Sequence, residues 1–229
     1  MNLWNDIHHL FFPRLCLTCG ERLHLHEGEL CQKCLSELPR AQALHTPGNP
    51  MESRLWSHPN LQHATALFYY EKGGNVAKIL HGMKYQHRPS LCQEMGQLIA
   101  TELIPTHFFE GIDYLIPVPL HPARLRQRGY NQSELLCRGI SQLTHIPIAT
   151  HGLIRTHNNA TQTHKSGSQR WQNAQGLFAP TCQSTQLSHQ HLLFVDDVFT
   201  TGATLSACIT ALSTLESIQA SVLTLAYAK

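Results

Sequence analysis

Residues 191 to 205 read HLLFVDDVFTTGATL. An apolar run ends in two adjacent carboxylates, Asp196 and Asp197, and Thr-Thr-Gly-Ala-Thr follows two residues later. Side-by-side acids repel each other and no turn requires both, so a ligand is the expected reason for the pair. In the second half, small residues let main-chain N–H groups converge on an anion, and a helix beginning there adds a favourable dipole. Thr200, Thr201 and Thr204 place hydroxyl donors beside those amides, while Gly202 and Ala203 permit close approach. Carboxylates cannot hold a phosphate. They suit hydroxyl donors such as a ribose diol, or a hydrated metal. One ligand with a phosphate at one end and a diol in the middle, a ribose 5-phosphate, satisfies both halves. The plainer alternative is that an Asp caps the following helix. A Walker loop is excluded because no Gly-Lys-Ser/Thr follows, and a dinucleotide fingerprint because Gly202 is the only glycine there.

A second group of residues fits metal chemistry. Cys16-Cys19 and Cys31-Cys34 form two C-x2-C pairs, while Cys92, Cys137, Cys182 and Cys208 are scattered singly. A secreted disulfide scaffold would not divide its cysteines this way. Each C-x2-C pair brings two sulfurs to one side of a turn, and four thiolates fill the tetrahedron of a structural zinc site, leaving no open position for catalysis. Gly20 suits the knuckle turn. The alternative is a pair of redox dithiols. A segment this small could hardly fold without the metal, whose binding is worth on the order of 10 kcal/mol.

The rest of the chain must position these groups. At 229 residues and 42% hydrophobic it can bury a substantial core. A net charge of +2 is too small to imply nucleic-acid binding from overall charge, so any anion site must be built locally. Most of the 17 histidines read as surface composition. No apolar stretch reaches transmembrane length and the start lacks the basic region of a signal peptide, so a cytoplasmic location is expected. Trp4, Ile7, Leu10 and Phe11 recur at helical spacing. Residues 46–60, with prolines and Gly48 and no periodicity, read as a linker between a zinc module at 1–45 and a larger domain at 61–229. In that domain, strand-like runs (ATALFYY, IDYLIPVPL, PIATHGLI, HLLFV, QASVLTLAYA) alternate with helical stripes. Those stripes are Val76, Ile79, Leu80 and Met83; Leu91, Met95, Leu98, Ile99 and Leu103; Leu136, Ile140 and Leu143; and Leu205, Cys208, Ile209, Leu212 and Leu215. The pattern predicts an α/β fold with a parallel sheet, whose ligands bind beyond the carboxyl ends of the strands. Both acids would then sit at the end of strand HLLFV.

The segment around Asp196 resembles the phosphoribosyl-pyrophosphate (PRPP) motif of type I phosphoribosyltransferases. IPVPLHPARLRQRGYNQSELL, QTHKSGSQRWQNAQGLF and the four-cysteine module are similar to the corresponding elements of the ComF competence family, also known as ComFC or GntX-like proteins. Gln162, Arg170, Asn173, Gly176 and Phe178 fall at that family's spacing, while Lys165 stands where many relatives carry Leu. The resemblance implies a phosphoribosyltransferase-like domain. Thr200, Thr201, Gly202, Ala203 and Thr204 would hold the 5-phosphate, and Asp196 and Asp197 would face the ribose hydroxyls. Arg124, Arg126 and Arg128 would take the pyrophosphate, and Mg2+ would bridge the pyrophosphate and the ribose. The polar segment 155–176 is a candidate lid, whose Arg155, Lys165 and Arg170 would close on the pyrophosphate. The 6-oxopurine enzymes carry an Asp at the position of Thr200, which argues against hypoxanthine or guanine as acceptor. His81 and Lys84 lie where the hood over the acceptor often forms, and they read first as packing and surface residues. Two functions stay open: transfer of ribose 5-phosphate to an unidentified nucleophile, and single-stranded-DNA binding in the DNA-import machinery with PRPP as a regulator. The second needs a basic groove with stacking aromatics.

Overall fold

The computed structural model describes residues 13–157 and 176–229. The helix expected over Trp4 to Phe11 lies outside them. Two short helices come first, α1 (Gln32–Ser36) and α2 (Pro50–Arg54). The main domain then runs β1 (Leu61–Tyr70), α3 (Asn75–Tyr85), α4 (Pro89–Leu103), β2 (Tyr114–Pro117), α5 (Pro122–Arg128) and α6 (Gln132–Thr144). It continues through β3 (Leu153–Arg155), β4 (Phe178–Pro180), β5 (His191–Phe199), α7 (Ala203–Leu212) and β6 (Gln219–Ala228). β1, β6, β5 and β2 form a parallel sheet in that order, and β3 and β4 pair as a separate antiparallel ribbon.

Strands covered on both faces must be apolar throughout, not alternating. Leu192, Leu193, Phe194 and Val195 of β5 are all fully buried. Leu193 and Val195 join Ile79, Met95 and Leu136 in the core beneath α3, α4 and α6. Leu192 and Phe194 join Leu205, Ile209 and Met51 on the opposite face. Two glycines bring α4 and α6 into backbone contact. A Cβ on Gly96 would lie 2.2 Å from the Leu136 carbonyl oxygen, and one on Gly139 would lie 2.1 Å from that of Gln93. This crossing fixes the first turn of α6 beside the end of β5.

Three expectations differ in detail. Residues 46–60 hold a helical turn whose Met51, together with the following Leu55, is fully buried. The signals read as linker punctuation act here as a helix start: the Asn49 side chain caps the amides of Met51 and Glu52, and Pro50 opens the helix. PIATHGLI forms a bridge at Ile148 and a strand only from Leu153. β5 continues to Phe199, so the acids lie inside the strand rather than at its end. The cysteine module packs onto the main domain. Its Cys16, Leu30 and Leu38 share one core with α3 and α4, and Arg88 pairs with Glu29 at 2.5 Å. Among the described residues, no helix is long and apolar enough to cross a membrane.

Candidate functional site

β2 ends its pairing at Pro117 opposite Val195, one residue before the acids. Beyond that point the acids meet the start of α6 where β2 has ended, while Asp196 stays paired with Thr224 of β6 on the other edge. Asn131 sets this meeting. Its Oδ1 accepts from the Ser133 amide at 3.1 Å and its Nδ2 donates to the Val118 carbonyl at 3.0 Å. Ser133 Oγ then donates to Asp196 Oδ1 at 2.9 Å, and the Asp197 N–H donates to the same oxygen at 2.9 Å. Gln132 Nε2 donates to Asp197 Oδ2 at 3.0 Å, and Lys84 Nζ, near the end of α3, lies 2.9 Å from that oxygen.

The two acids therefore differ. Asp197 is 3% exposed and carries an ammonium and an amide on one oxygen, whereas Asp196 is half-buried with hydroxyl and main-chain donors. Burial pushes the Asp196 carboxyl up to about 7; the Asp197 charge adds to this, while its own hydrogen bonds and Lys84 oppose it. Burial disfavours the Lys84 ammonium, yet Asp197 and then Asp196 hold its pKa above the ordinary lysine value. The repulsion expected between neighbouring carboxylates is thus met by one cation placed against the deeper acid.

At the end of β5 the chain turns into α7 through Thr200 to Thr204. Gly202 is the N-cap, at φ +83°, and no side chain caps the helix. The carboxylates bond toward α6 and α3, so helix capping does not explain the acid pair. Ala203 N–H reaches Thr201 Oγ1 at a long 3.4 Å, and the amides of Thr204 and Leu205 have no acceptor among the described residues. Arg54, stacked over Tyr227, donates to the Thr200 carbonyl and braces the turn from outside. A groove of about 940 Å³ flanks the outer side of α7, lined by His58, Phe178, Ala203 and Ser206 rather than by the acids. In it, His58 Nε2 lies 2.7 Å from Ser206 Oγ.

The arginines occupy α5, which buries no residue and ends at Gly129 with φ +83°. Arg128 lies over the Tyr85 ring and donates to Gln132 Oε1, which continues the hydrogen-bonded chain that reaches Asp197. Arg155 sits over the Phe178 ring. Its pKa is lowered by burial first and then by the like charge of Arg124, while Asp196 acts in the opposite sense, so all three share one electrostatic neighbourhood. Arg126 is exposed. Lys165 and Arg170 lie outside the described residues.

The four cysteine sulfurs lie within 4.8 Å of one another. Cys19 Sγ and Cys31 Sγ are 3.8 Å apart, the edge of a tetrahedron with metal–sulfur bonds of about 2.3 Å. Cys31 N–H points at Cys16 Sγ (3.3 Å) and Cys34 N–H at Cys31 Sγ (3.5 Å), donors that favour thiolate. Burial raises the Cys16 thiol, but Thr18 and nearby amides bring it down to about 6. This cluster could hold a metal ion.

Similarity to known proteins now bears on this geometry. No family model matches the chain. It is 25% identical over 206 residues to Competence protein F of Haemophilus influenzae, covering 86% of this chain and 89% of that one. It is 27% identical over 209 residues to DNA utilization protein YhgH of Escherichia coli K12, with the same coverage. Over 198 residues it is 24% identical to Competence protein ComFC of Bacillus subtilis, covering 84% of this chain and 75% of that one. The chain is thus similar over most of its length to proteins named for competence and DNA utilization. Solved structures similar to this chain include the allosteric regulatory enzyme of purine biosynthesis (16% identity, 59% of this chain, TM-score 0.37). Trypanosoma cruzi hypoxanthine phosphoribosyl transferase is another (14% identity, 60% of this chain, TM-score 0.33). The chain spans a quarter of the first and 64% of the second.

In this chain, Asp196, Asp197 and Arg128 are joined through Gln132 and Ser133, and the Thr200–Thr204 turn directly follows the strand that carries the acids. Sequence reasoning missed Gln132 and Ser133 and set Lys84 aside as a packing or surface residue. A signal existed. Lys84 continues the buried stripe Val76–Leu80 at four-residue spacing, and Gln132 begins the stripe Leu136–Ile140. A polar residue on an apolar stripe near a helix end marks a partner to be found.

Proposed function

We propose that this chain is a PRPP-binding protein of the phosphoribosyltransferase family that acts in the cytoplasm in DNA uptake, transferring or sensing ribose 5-phosphate. One observation carries the reading. β5 delivers a half-buried carboxylate, Asp196, and then the turn Thr200 to Thr204 into α7, where the Thr204 and Leu205 amides have no acceptor among the described residues. The turn would take the 5-phosphate and Asp196 the ribose hydroxyls. Asp197 would act from behind, through Gln132 and Lys84. Arg124 and Arg128, with Arg126 farther out, would meet the pyrophosphate, where guanidinium forks match phosphate oxygens. Mg2+ carried in with PRPP would supply positive charge to the pyrophosphate. Zinc fits the four thiolates as a structural ion.

The test is calorimetric titration with Mg-PRPP. Charge-assisted hydrogen bonds contribute roughly 1.5–3 kcal/mol each, so Asp196→Asn should weaken binding by about tenfold or more. Unchanged affinity removes Asp196 from the site. The names of the relatives, Competence protein and DNA utilization protein, favour a second role on single-stranded DNA. Binding of a single-stranded oligonucleotide with steep salt dependence, unaffected by Asp196→Asn, would place DNA on a separate surface.

A further inference from the structure

We infer that Lys84 is a positioning residue of this site: by neutralising Asp197 from behind, it leaves Asp196 as the single anionic acceptor for the sugar's hydroxyls. The inference rests on the reading that the site takes a phosphorylated ribose, and it assigns a division of labour that the acid pair alone does not give.

The geometry is specific. Lys84 Nζ and Gln132 Nε2 converge on the same Asp197 oxygen from α3 and α6, at 2.9 and 3.0 Å. Arg128 holds the other end of the Gln132 amide, which fixes that amide's orientation. Arg128 is in turn placed by Tyr85, the neighbour of Lys84, and Tyr130 Oη donates to the Met83 carbonyl at 2.8 Å. The last turn of α3 is therefore held from three sides. Its other end is held as well, because Lys78 Nζ donates to the Thr18 carbonyl in the cysteine module at 2.8 Å.

The charges facing Asp196 are Asp197 on its own strand, Lys84 from α3 and Arg155 from β3, with the buried thiols Cys137 of α6 and Cys208 of α7 nearby. Arg128 also faces Lys84, as a like charge that disfavours the ammonium. With Lys84 present, the Asp197 charge is largely cancelled and Asp196 can ionise near neutrality. Without it, an uncompensated buried carboxylate sits one residue from Asp196, and a like charge so close disfavours the second ionisation by about one to three pH units. An Asp196 that keeps its proton no longer accepts two hydroxyl donors.

The experiment titrates ribose 5-phosphate in metal-free buffer from pH 6 to 9 against wild type, Lys84→Met, Lys84→Arg, Asp196→Asn and the double variant Lys84→Met with Asp197→Asn. Wild-type affinity should rise through a midpoint near neutral pH. In Lys84→Met that midpoint should move up by at least one pH unit, with about a tenfold loss of affinity at pH 7.5. Lys84→Arg should restore it. So should the double variant, because it removes the buried charge together with its counterion. A purely packing role for Lys84 predicts no such rescue. Thermal denaturation of each variant identifies any that fails to fold, and the double variant keeps the test alive if Lys84→Met does. If wild type and Asp196→Asn bind alike, the sugar-phosphate reading fails. If they differ while Lys84→Met titrates as wild type, the positioning role fails alone.

Discussion

Gly202 and Gly129 share one backbone conformation, φ +83°, in two surroundings, and this makes a sharp test of the turn after β5. An alanine at Gly129 would meet nothing within 4 Å. At Gly202 the added Cβ would lie 2.7 Å from Phe199 Cζ and 3.3 Å from Cε2. The Phe199 ring is 1% exposed and packs against Tyr227 at 5.9 Å, so it has little room to retreat. A non-glycine residue in the left-handed region costs roughly 1–2 kcal/mol, and that is all Gly129→Ala should show. Gly202→Ala adds overpacking of about 1–3 kcal/mol, for a total of roughly 2–5 kcal/mol. At about 2–4 °C per kcal/mol for a domain of this size, Tm should fall by about 4–20 °C, against about 2–8 °C for Gly129→Ala. Calorimetric unfolding measures both. Phe199→Leu combined with Gly202→Ala should recover about 1–2 kcal/mol as a coupling term. The same steric push would tilt the first amides of α7, so Gly202→Ala should also weaken sugar-phosphate binding. Equal Tm losses at the two glycines, with no coupling to Phe199, would refute the claim that this ring shapes the turn.

Asp196 predicts a conflict between stability and function. Folding raises its pKa from 3.8 to about 7. Between those values the unfolded chain binds fewer protons than the folded one, so stability falls as pH rises across that window. Asp196→Asn should therefore stabilise the free protein by on the order of 1–3 kcal/mol at pH 8 and by less at pH 5, as read by thermal denaturation, even as it loses ligand. A constant difference between the two pH values would mean that the carboxyl titrates normally. One metal ion should be found per chain, and Cys31→Ser should abolish it. Because the module shares a core with α3 and α4, metal loss should lower the Tm of the whole chain, and an unchanged Tm would show the module to be independent. Asn131→Ala removes a helix cap worth roughly 1 kcal/mol and releases Ser133 and Gln132, so sugar-phosphate affinity should drop more than the loss of stability explains; equal affinity would detach α6 from the site.

Much of the fold was legible because its signals are local. The stripes Val76–Met83 and Leu91–Leu103 appear as α3 and α4, and the apolar run of β5 marks a strand covered on both faces. Two C-x2-C pairs foretold a cluster of four sulfurs. What was hidden depends on contacts distant in sequence. The buried helical turn at Pro50 looked like a linker because Asn49, Pro50 and Gly48 serve equally as loop punctuation, and only the partners of Met51 and Leu55 across the sheet decide between them. The strand's extension past the acids was hidden too, because carboxylates are poor strand residues unless something neutralises them. That something comes from Lys84 and Gln132, more than sixty residues away.

The division of the acid pair follows from the same geometry. Successive residues of a strand point to opposite sides, so two adjacent acids cannot present equivalent carboxylates to one ligand without distortion. The sequence motif invites a symmetric picture in which both grip a diol. Asp197 points to the side occupied by α3 and α6 and is consumed there; among the described residues Asp196 is drawn back toward α6 by the Ser133 hydroxyl and the intervening amide, contacts that a ligand's hydroxyls can supplement without displacing. On this view the second acid is kept because it anchors α3 and α6 to β5 at the place where the ligand arrives. Asp197→Asn alone would then leave Lys84 half-buried without its main partner, so it should cost more stability than the double replacement that removes both charges.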